Sequence, residues 1–439
     1  MYVDVDLYYI GLDIGTTNIK SLALSSGAEV ISAVSESMVY DTDGARVEFD
    51  IGDFYRKVCA LIKRQVGEIP KNARPAGVCI SSASGNTVLL DANNDPLFPA
   101  ISWLDKRQEG DIEAVMGTLD PASVYKTAGW PLSDGFPLAH LCMIKRAHPG
   151  LLEKASRIGM STDYLNMRLC GAWAMDRSTA TTFYLQDQVH GTWHGPYLEA
   201  LGIPASKLPL LLPVGTRIGK VTPEASVDTL LPTGTPVYLG SFDHPSAAIG
   251  ANIIREGQLL LSCGTSWVGF TPVKSRERVI AANLLCDPFL ENSGLWGGYF
   301  SLPNAGQRLD MHIERFISAN HSRFEEFDGY AARSVPGANG LKINIYDEPS
   351  DNFGSYNKKD IARALMENIA YLLKEKLMLM EEHGISVNFI VMAGGPSRSP
   401  VWPSLLSDVI GMSVQPLPFG THAGAIGAAK IAAGMVKFC

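Results

Sequence analysis

The sequence lacks several features that would assign it to particular classes of protein. No apolar run reaches the roughly 18 residues that a membrane-spanning helix requires. The seven cysteines are scattered singly, without a C-x-x-C pair, which argues against a zinc site and fits the reducing cytoplasm. Basic residues are outnumbered, 37 Lys and Arg against 45 Asp and Glu, so there is no basic footprint for nucleic acid. The N-terminus, MYVDVDLYY, carries acids where a signal peptide has a basic region. We therefore expect a cytoplasmic protein without membrane or nucleic-acid partners.

Length and composition indicate a globular protein with two domains. A chain of 439 residues is too long for one compact core, and 46% of its residues are hydrophobic. The stretch 214–236 is rich in glycine, proline and threonine, so it is the best candidate for the segment between domains. We therefore place the domains at residues 1–240 and 241–439.

The stretch Tyr8–Leu24, YYIGLDIGTTNIKSLAL, predicts a hairpin that could hold an anion. Residues 8–12 are typical of a buried strand and residues 20–24 of the returning strand. At the glycine turn between them, main-chain N–H groups and hydroxyls can face one anion, and a carboxylate before the turn suits a divalent metal. Taken alone, the stretch is equally well explained as an ordinary hairpin whose turn needs glycine. The candidate ligand-binding residues are Asp13, Gly15, Thr16, Thr17, Asn18 and Lys20.

A second stretch has the same form. Residues 258–270, QLLLSCGTSWVGF, place a glycine turn between two apolar strands. Two such hairpins far apart in one chain indicate a duplicated architecture with a nucleotide between the halves. Further along, a strand at 389–393 leads into a glycine pair and a helix that begins at Pro400. A strand followed by a glycine pair and a helix N-terminus is a common nucleotide-binding arrangement. The candidates in these two places are Gly264, Thr265, Ser266, Gly394, Gly395, Ser397 and Ser399.

Two segments in the first half carry groups that suit a polyol. One follows a buried strand at 76–82, where ligands of α/β sheets usually bind. The other, ISWLDKRQ, has an aromatic ring, a carboxylate and a guanidinium at a spacing of two, which would place them on one side of an extended segment. On spacing alone, a surface strand with a salt bridge is the better explanation. The candidates are Ser84, Gly85, Asn86, Trp103, Asp105 and Arg107.

Asp243 is the candidate catalytic residue. It follows an apolar strand at 236–240, lies beside the bend at Pro245 and precedes the second hairpin. A carboxylate there can take the proton from a substrate hydroxyl. The alternative is that Asp243 caps a helix that begins near Pro245.

With these motifs in this order, the chain resembles the FGGY carbohydrate kinases of the actin/Hsp70/hexokinase superfamily. The resemblance runs from Tyr8 to Gly434, and its most specific part is GGPSRSPVW, which is similar to the adenosine motif of the family nearly residue for residue. The family also has a D-Y-L helix like the one at 161–169. The matching positions there, which we interpret as mainly architectural, are Asp163, Tyr164, Leu165, Gly171, Asp176, Ser178 and Ala180.

The resemblance implies an α/β protein with two RNase-H-like (actin-like ATPase) domains and an interdomain cleft. MgATP would bind mostly on the second domain and the sugar mostly on the first. Asp243 would be the base and would contact the sugar, and Asp13 would hold Mg²⁺ with Asp243 as a second carboxylate on the metal. The two hairpins would hold the phosphates. The expected acceptor is a ketopentose such as xylulose or ribulose, and gluconate or another polyol acid is the alternative.

The chain departs from the family in two places. Many members carry M-H-G where this chain has Ser84–Gly85–Asn86, and a segment with G-E-R-x-P where, after a strand expected at 337–345, this chain has only YDEPSDNFGS. The missing segment leaves a catalytically weak sugar sensor open as an alternative. The hairpins alone also leave open a nucleotide-switched binding protein of the Hsp70 or actin type. A homodimer is a further open alternative.

Overall fold

The structure is a computed structural model that describes residues 6–349, 353 and 356–436. The chain forms two compact units. The first comprises Met1–Gly250, Asp287–Gly294 and His422–Cys439, and the second comprises Ala251–Cys286 and Leu295–Thr421. The first unit therefore extends beyond residue 240 and also includes the last helix of the chain.

Strands and helices of the first unit come mostly from the first 250 residues. The strands are β1 Leu7–Ile14, β2 Asn18–Ser25, β3 Val30–Ser37, β4 Asp41–Asp43, β5 Arg46–Phe49, β6 Arg74–Ser82, β7 Val88–Leu90, β8 Ala100–Ile101, β9 Arg157–Gly159, β10 Ala174–Asp176, β11 Gln186–Asp187, β12 Thr192–Trp193, β13 Leu210–Leu212, β14 Arg217–Lys220 and β15 Pro236–Phe242. The helices are α1 Ile51–Gly67, α2 Asp111–Met116, α3 Pro121–Ala128, α4 Pro137–Ala147, α5 Leu151–Lys154, α6 Ser161–Cys170, α7 Gly195–Leu201, α8 Pro223–Thr229 and α9 Asp243–Gly250.

The remaining elements follow residue 250. The strands are β16 Gly257–Cys263, β17 Trp267–Val273, β18 Leu285–Leu290, β19 Leu295–Leu302, β20 Val387–Gly394 and β21 Ser413–Pro416. The helices are α10 Arg276–Ala281, α11 Ala305–Phe316, α12 Arg323–Ala331, α13 Lys358–Glu382, α14 Trp402–Ile410 and α15 Ala423–Ala432. Among the described residues, no helix combines the length and the apolar character needed to cross a membrane.

The first unit is built on a six-stranded sheet in the order β14-β15-β6-β1-β2-β3. Strand β1 pairs antiparallel with β2 and parallel with β6, and β6 is parallel with β15. The carboxyl ends of these parallel strands therefore meet at one edge, where Asp13 is opposite Ser81 and Phe242 is opposite Ser82. Ligands of α/β sheets bind at this kind of edge. The sheet thus gathers the candidate residues that follow β1, β6 and β15.

Helix α15 packs on β1, β6 and α9 through small residues. A Cβ atom at Gly11 of β1 would lie 1.9 Å from the carbonyl oxygen of Ala425, and one at Gly427 would lie 1.8 Å from the carbonyl oxygen of Ser246. Real Cβ atoms do not approach carbonyl oxygens so closely, so only glycine fits at both positions. The small-residue helix expected from HAGAIGAAKIAAG is confirmed, and its role is close backbone packing.

The other face of the sheet is covered by α1, whose apolar side is buried. Asp50 caps this helix by accepting a hydrogen bond from the main-chain N–H of Asp53, as expected from the sequence. Phe54, Val58 and Leu61 are buried at helical spacing. Helix α1 thus packs its apolar side against the sheet and has a structural role.

The second unit has its own six-stranded sheet in the order β18-β19-β17-β16-β20-β21. Here β16 pairs antiparallel with β17 and parallel with β20, so its central strands repeat the pattern of β1, β2 and β6. The 25-residue helix α13 supplies Leu365, Ile369 and Leu373 to the core, each fully buried. The predicted amphipathic helix at 358–383 is therefore confirmed as a core element.

Two expectations about local structure were wrong. Residues 214–236 do not link domains: they form β14 and α8, and β14 pairs with β15 inside the sheet of the first unit. Residues 337–345 form a short 3₁₀ turn, Ala338–Gly340, followed by irregular backbone instead of a strand. Glycine and proline are common at strand ends as well as in linkers, so composition could not distinguish the two. The short stretch 346–355, expected in place of G-E-R-x-P, lies partly outside the described residues.

Candidate active site

The first hairpin is formed as the sequence predicted, with its turn at the ligand edge of the sheet. The N–H of Gly15 donates to the carbonyl oxygen of Asn18 (2.9 Å), which closes the turn. Two neighbouring side chains fix Thr16: its carbonyl oxygen accepts from Tyr40 Oη (3.0 Å), and its Oγ1 accepts from Trp103 Nε1 (3.2 Å). Thr17 is exposed at the tip. The turn is therefore held from behind and presents its outer face to solvent.

Asp13 is the penultimate residue of β1 and is nearly buried, with 8% of its surface exposed. Lys20 lies opposite it in the hairpin register, with Nζ 3.5 Å from Asp13 Oδ2. Helix α15 covers it closely, since a Cβ atom at Gly424 would lie 2.7 Å from Asp13 Cγ. Burial raises the pKa of Asp13 and the charge of Asp243 raises it further, while Lys20 lowers it. Asp13 thus lies within electrostatic reach of Asp243.

These two carboxylates fit Mg²⁺. Among residues 6–349, 353 and 356–436, no cluster of three or more His, Cys, Asp or Glu side chains would hold a metal by itself. Mg²⁺ usually keeps several waters and binds through one or two carboxylates together with substrate phosphates. Two nearby acids next to a phosphate-type turn match that donor set. Bound Mg²⁺ would neutralise negative charge on the phosphates and on Asp13.

Asp243 follows β15 and is the first residue of α9. It is half-buried, and its Oδ1 accepts a hydrogen bond from the main-chain N–H of His244 (2.7 Å). The helix therefore begins at Asp243 itself and not near Pro245, the start assumed in the capping alternative. A partly exposed carboxylate at the ligand edge of the sheet can accept a proton from a substrate hydroxyl.

The Trp103–Arg107 segment is a series of turns, not the extended strand that the spacing suggested. Asp105 is fully buried. Its Oδ2 accepts from the N–H of Val47 (2.8 Å), and both its oxygens accept from Arg107 Nε (3.0 Å). Arg107 also pairs with the buried carboxylate of Glu48. Burial alone would raise the pKa of Asp105, but these donors lower it below its ordinary value.

The polar side chains of the loop after β6 also form hydrogen bonds within the protein. Ser84 Oγ donates to the carbonyl oxygen of Ser82 (3.2 Å). Asn86 is bonded on both sides to Ser161: Nδ2 donates to Ser161 Oγ (3.0 Å), and Oδ1 accepts from the N–H of Ser161 (2.7 Å). Gly85 has φ +86°, a conformation that favours glycine. The loop therefore joins β6 to the start of α6.

A small pocket lies between the first hairpin and these two segments, all within the first unit. Trp103 and Asn86 contribute to it together with the hairpin turn. Its lining comprises Ile14, Gly15, Thr16, Met38, Tyr40, Phe49, Phe54, Ser82, Ala83, Asn86, Ser102, Trp103 and Ser161. Of the predicted substrate residues, the structure thus brings Asn86 and Trp103 to the hairpin, while the buried Asp105 and the half-buried Arg107 bond to each other.

The second hairpin is held by the start of α11. The N–H of Gly264 donates to the carbonyl oxygen of Ser266 (3.1 Å), and the N–H of Gly306 donates to that of Thr265 (2.9 Å). Ser266 Oγ accepts from the N–H of Asn304 (2.8 Å). A Cβ atom at Gly306 would lie 2.0 Å from the carbonyl oxygen of Gly264, whereas one at Gly264 would meet only Ser266 O, at 3.7 Å. The space over Gly264 is therefore free of protein atoms at close range.

The glycine pair after β20 makes a sharp turn that requires glycine at its first position. Gly394 has φ +96°, and a Cβ atom there would lie 2.1 Å from the carbonyl oxygen of Cys263. Around Gly395, no atom of the described residues outside its own turn lies within 4 Å of an added Cβ. Ser397 Oγ donates to the carbonyl oxygen of Gly394 (2.7 Å), and Ser399 Oγ accepts from the N–H of Trp402 (3.1 Å). The helix begins at Trp402 and not at Pro400 as predicted.

One group next to Asp243 was missed from the sequence. Ser178 Oγ accepts from the N–H of Phe242 (3.1 Å) and donates to Asp287 Oδ2 (2.9 Å). Asp287 is fully buried, and its burial raises its pKa well above the ordinary value. Ser178 matched the family pattern, but Asp287 lies in the stretch 281–345, where no motif marked it. A contact across 109 residues leaves no local sequence signal.

The fold is that of an actin-like sugar kinase, a phosphotransferase with an alcohol acceptor. Two family models match the chain: the N-terminal domain of the FGGY family of carbohydrate kinases over residues 8–250, and the C-terminal domain over residues 330–435. The chain therefore belongs to the FGGY family of carbohydrate kinases.

Individual relatives are distant but cover nearly the whole chain. Gluconokinase of Bacillus licheniformis is 26% identical over 426 residues, covering 92% of this chain and 82% of that protein. Xylulose kinase of Bacillus subtilis (strain 168) is 26% identical over 446 residues, covering 97% of this chain and 88% of that protein. The crystal structure of xylulose kinase from Rhodospirillum rubrum superposes with a TM-score of 0.87 at 26% identity, covering 98% of this chain and 90% of that one.

Proposed function

We propose that the enzyme transfers the γ-phosphoryl group of MgATP to a primary hydroxyl of a small sugar, with Asp243 as general base. This proposal rests on the position of Asp243, whose half-buried carboxylate lies at the ligand edge of the first sheet. It is close enough to Asp13 for the two charges to interact. A general base has to lie within hydrogen-bond reach of the proton that it takes. We place this reaction in the cytoplasm, which supplies ATP and Mg²⁺.

The proposed reaction is an in-line displacement. The substrate oxygen forms a bond to the γ-phosphorus, the bond from that phosphorus to the β–γ bridging oxygen breaks, and the hydroxyl proton passes to Asp243. Asp13 would hold Mg²⁺, with Asp243 as a second carboxylate, and the metal would supply positive charge to the phosphates. The turn at Gly15 and, in the second unit, the turn at Gly264 are each proposed as phosphate-binding turns. The turn at Gly394 supports the adenosine.

For the acceptor, we propose that Trp103 contacts the sugar and that Asp105 and Arg107 hold the Trp103 segment in place. Both oxygens of Asp105 are occupied by Val47 and Arg107, which supports the holding role. Relatives named xylulose kinase and gluconokinase favour a ketopentose first and an aldonate second.

The test is an ADP-release screen over pentuloses, hexuloses, alditols and aldonates, followed by Asp243→Asn with the best acceptor. Loss of a general base should lower kcat by about 10²–10⁴-fold. Binding of the nucleotide, measured by calorimetry, should remain. Asp408→Asn, at an exposed position of α14, serves as the control for removing one charge. Turnover of Asp243→Asn within a few-fold of the wild type would return Asp243 to a structural role, and ATP turnover unaffected by every acceptor would favour a nucleotide-switched sensor.

A further inference from the structure

Another cavity of the first unit lies between helices α1, α6 and α8, and positive charge predominates in its lining. It has a volume of about 460 Å³, within the range of roughly 300–1,000 Å³ that is usual for small-molecule sites. We call it the basic cavity, and its charged lining residues are Arg56, Lys63, Arg168 and Asp228. None of these four residues lines the pocket at the first hairpin, so the two places are distinct.

The three cations are only partly neutralised by protein groups. In the part of the chain that the structure describes, the ammonium group of Lys63 has no hydrogen-bond or ion-pair partner. Arg168 Nη1 donates to the hydroxyl of Tyr164 (2.8 Å) and not to an acid. Arg56 is paired with Asp53, and both side chains of that pair are exposed. Positive charge therefore remains available to a ligand in the basic cavity.

The guanidinium of Arg168 is held in place at the basic cavity. Its Cζ atom lies 3.9 Å from the ring centroid of Tyr55, which is buried. Tyr55 Oη in turn donates to Asp228 Oδ2 (2.8 Å), the carboxylate of the lining. Burial raises the pKa of the Cys59 thiol to about 11, so this lining residue adds no negative charge. The lining thus presents three cations against one carboxylate.

The start of α1 adds to the positive potential. Gly52, in the first turn of this 17-residue helix, also lines the basic cavity. A helix N-terminus carries partial positive charge and main-chain N–H groups without helical partners. A phosphate monoester has nearly two negative charges at neutral pH and three acceptor oxygens, so it can contact several cations at once. A single carboxylate has only one charge, so the lining favours a phosphate ester.

The two helices that line the basic cavity also line the pocket at the first hairpin. In α1, Phe54 lines that pocket, and the next residue, Tyr55, lines the basic cavity. In α6, Ser161 lines that pocket and is bonded to Asn86. Arg168 follows about two turns later in the same helix and lines the basic cavity. A ligand that shifts either helix therefore acts on both places.

We propose that the basic cavity binds a small phosphorylated metabolite, a sugar phosphate, as an effector that changes the affinity of the enzyme for its sugar through α1 and α6. The phosphate group would contact Lys63, Arg56 and Arg168, and the carbon skeleton would occupy the rest of the cavity. Binding is independent of the proposed kinase reaction, whereas the effect on sugar affinity rests on it.

Binding is measured by calorimetry in the presence of saturating MgADP, so that the nucleotide site does not take up the probes. The probes are D-glucose 6-phosphate and inorganic phosphate. We expect saturable binding of D-glucose 6-phosphate and weaker binding of inorganic phosphate, which lacks the carbon skeleton. Equal binding of the two probes would overturn the assignment to an ester. Absence of saturable binding of D-glucose 6-phosphate at millimolar concentrations would overturn the site itself.

Charge variants assign the binding to the basic cavity. Lys63→Glu, at an exposed position, should weaken the binding of D-glucose 6-phosphate by about 10-fold or more. Asp228→Asn removes the opposing charge, keeps an oxygen that can accept from Tyr55, and should tighten binding by roughly 2- to 5-fold. Lys154→Glu, at an exposed position of α5, is the matched control and should leave the affinity unchanged.

The melting temperature of each variant is compared with that of the wild type. If Lys63→Glu folds like the wild type and binds as tightly as Lys154→Glu, the ligand binds elsewhere and the inference is wrong. If Lys63→Glu does not fold, Asp228→Asn decides the question, because an unchanged or weaker affinity in that variant contradicts the charge argument.

ADP release measures the effect on the reaction. Saturating D-glucose 6-phosphate should change the sugar KM of the wild type by about 5-fold or more, and Lys63→Glu should not respond at the same concentration. An unchanged sugar KM alongside calorimetric binding would overturn the effector role. If no sugar is phosphorylated at all, the proposed function fails, while calorimetry still decides whether the basic cavity binds a phosphate ester.

Discussion

Gly424→Ala should disturb the metal-side carboxylate without unfolding the protein. A Cβ atom at Gly424 would lie 2.7 Å from Asp13 Cγ and 2.8 and 2.9 Å from its two oxygens. Ordinary contact requires about 3.4 Å, so the carboxylate has to move by roughly 0.7 Å. The short side chain of Asp13 lies within the paired strand β1 and faces Lys20, so it has little room to adjust by rotation alone. The new methyl group therefore changes the position from which Asp13 would hold Mg²⁺.

The magnitude follows from the size of that displacement. A misplacement approaching 1 Å in an active site can cost about 10²-fold, so we expect kcat/KM for MgATP to fall roughly 10- to 100-fold, with more Mg²⁺ needed for half-maximal rate. Global stability should change little. Overpacking costs about 1–3 kcal/mol, while replacing glycine by alanine inside a helix returns about 1 kcal/mol.

The assay is ADP release at several Mg²⁺ concentrations, together with thermal unfolding of the same preparation. Gly67→Ala is the matched control, because among the described residues no atom outside its chain neighbours and the backbone of α1 lies within 4 Å of a Cβ at that position. It should keep the activity of the wild type. If Gly424→Ala retained wild-type kinetics and the same Mg²⁺ requirement, the assignment of Asp13 to the metal would be wrong. A large loss of melting temperature in parallel with activity would instead indicate misfolding.

Three further outcomes are expected. Gly264→Val should weaken MgATP binding in calorimetry and leave the melting temperature unchanged. A Cβ at Gly264 meets only Ser266 O, at 3.7 Å among the described residues, and Gly264 is not in the left-handed region. Parallel losses of MgATP affinity and of melting temperature would contradict the phosphate role. Asp105→Ala should lower the melting temperature and leave the sugar KM of the folded enzyme nearly unchanged, because it removes a buried partner of Arg107; a sugar KM raised about 10-fold or more would restore Asp105 as a direct contact. Burial raises the pKa of Asp176 to about 6, so the folded state binds the extra proton and Asp176 should contribute a loss of about 3 kcal/mol as pH rises from about 4 to about 6; Asp176→Asn, which keeps the acceptor for the N–H of Thr179, should lose about 3 kcal/mol less than the wild type over this range in urea unfolding, and parallel pH profiles would refute it.

Some of this protein could be derived from the sequence because the information is local. The hairpin at Tyr8–Leu24 is encoded by an apolar run, a glycine turn and a second apolar run, all within 17 residues. Helix α13 is encoded by apolar side chains at helical spacing, and α15 by its run of small residues. The order of these motifs along the chain pointed to the family, and the two family models confirm that the chain belongs to it.

Other features required the tertiary structure, since they depend on residues far apart in the chain. Asp105 looked like a free ligand group until Val47, 58 residues away, was found to donate to it. The space beside Gly85 is filled by Phe136. The backbone N–H of Phe242, the residue before the candidate base, is hydrogen-bonded to Ser178, which in turn is hydrogen-bonded to Asp287. Sequence reveals which groups a residue carries and how its neighbours along the chain are spaced. Whether a polar group remains available to a ligand is decided by the partners that folding brings to it, because a buried group must satisfy its hydrogen bonds wherever they are found.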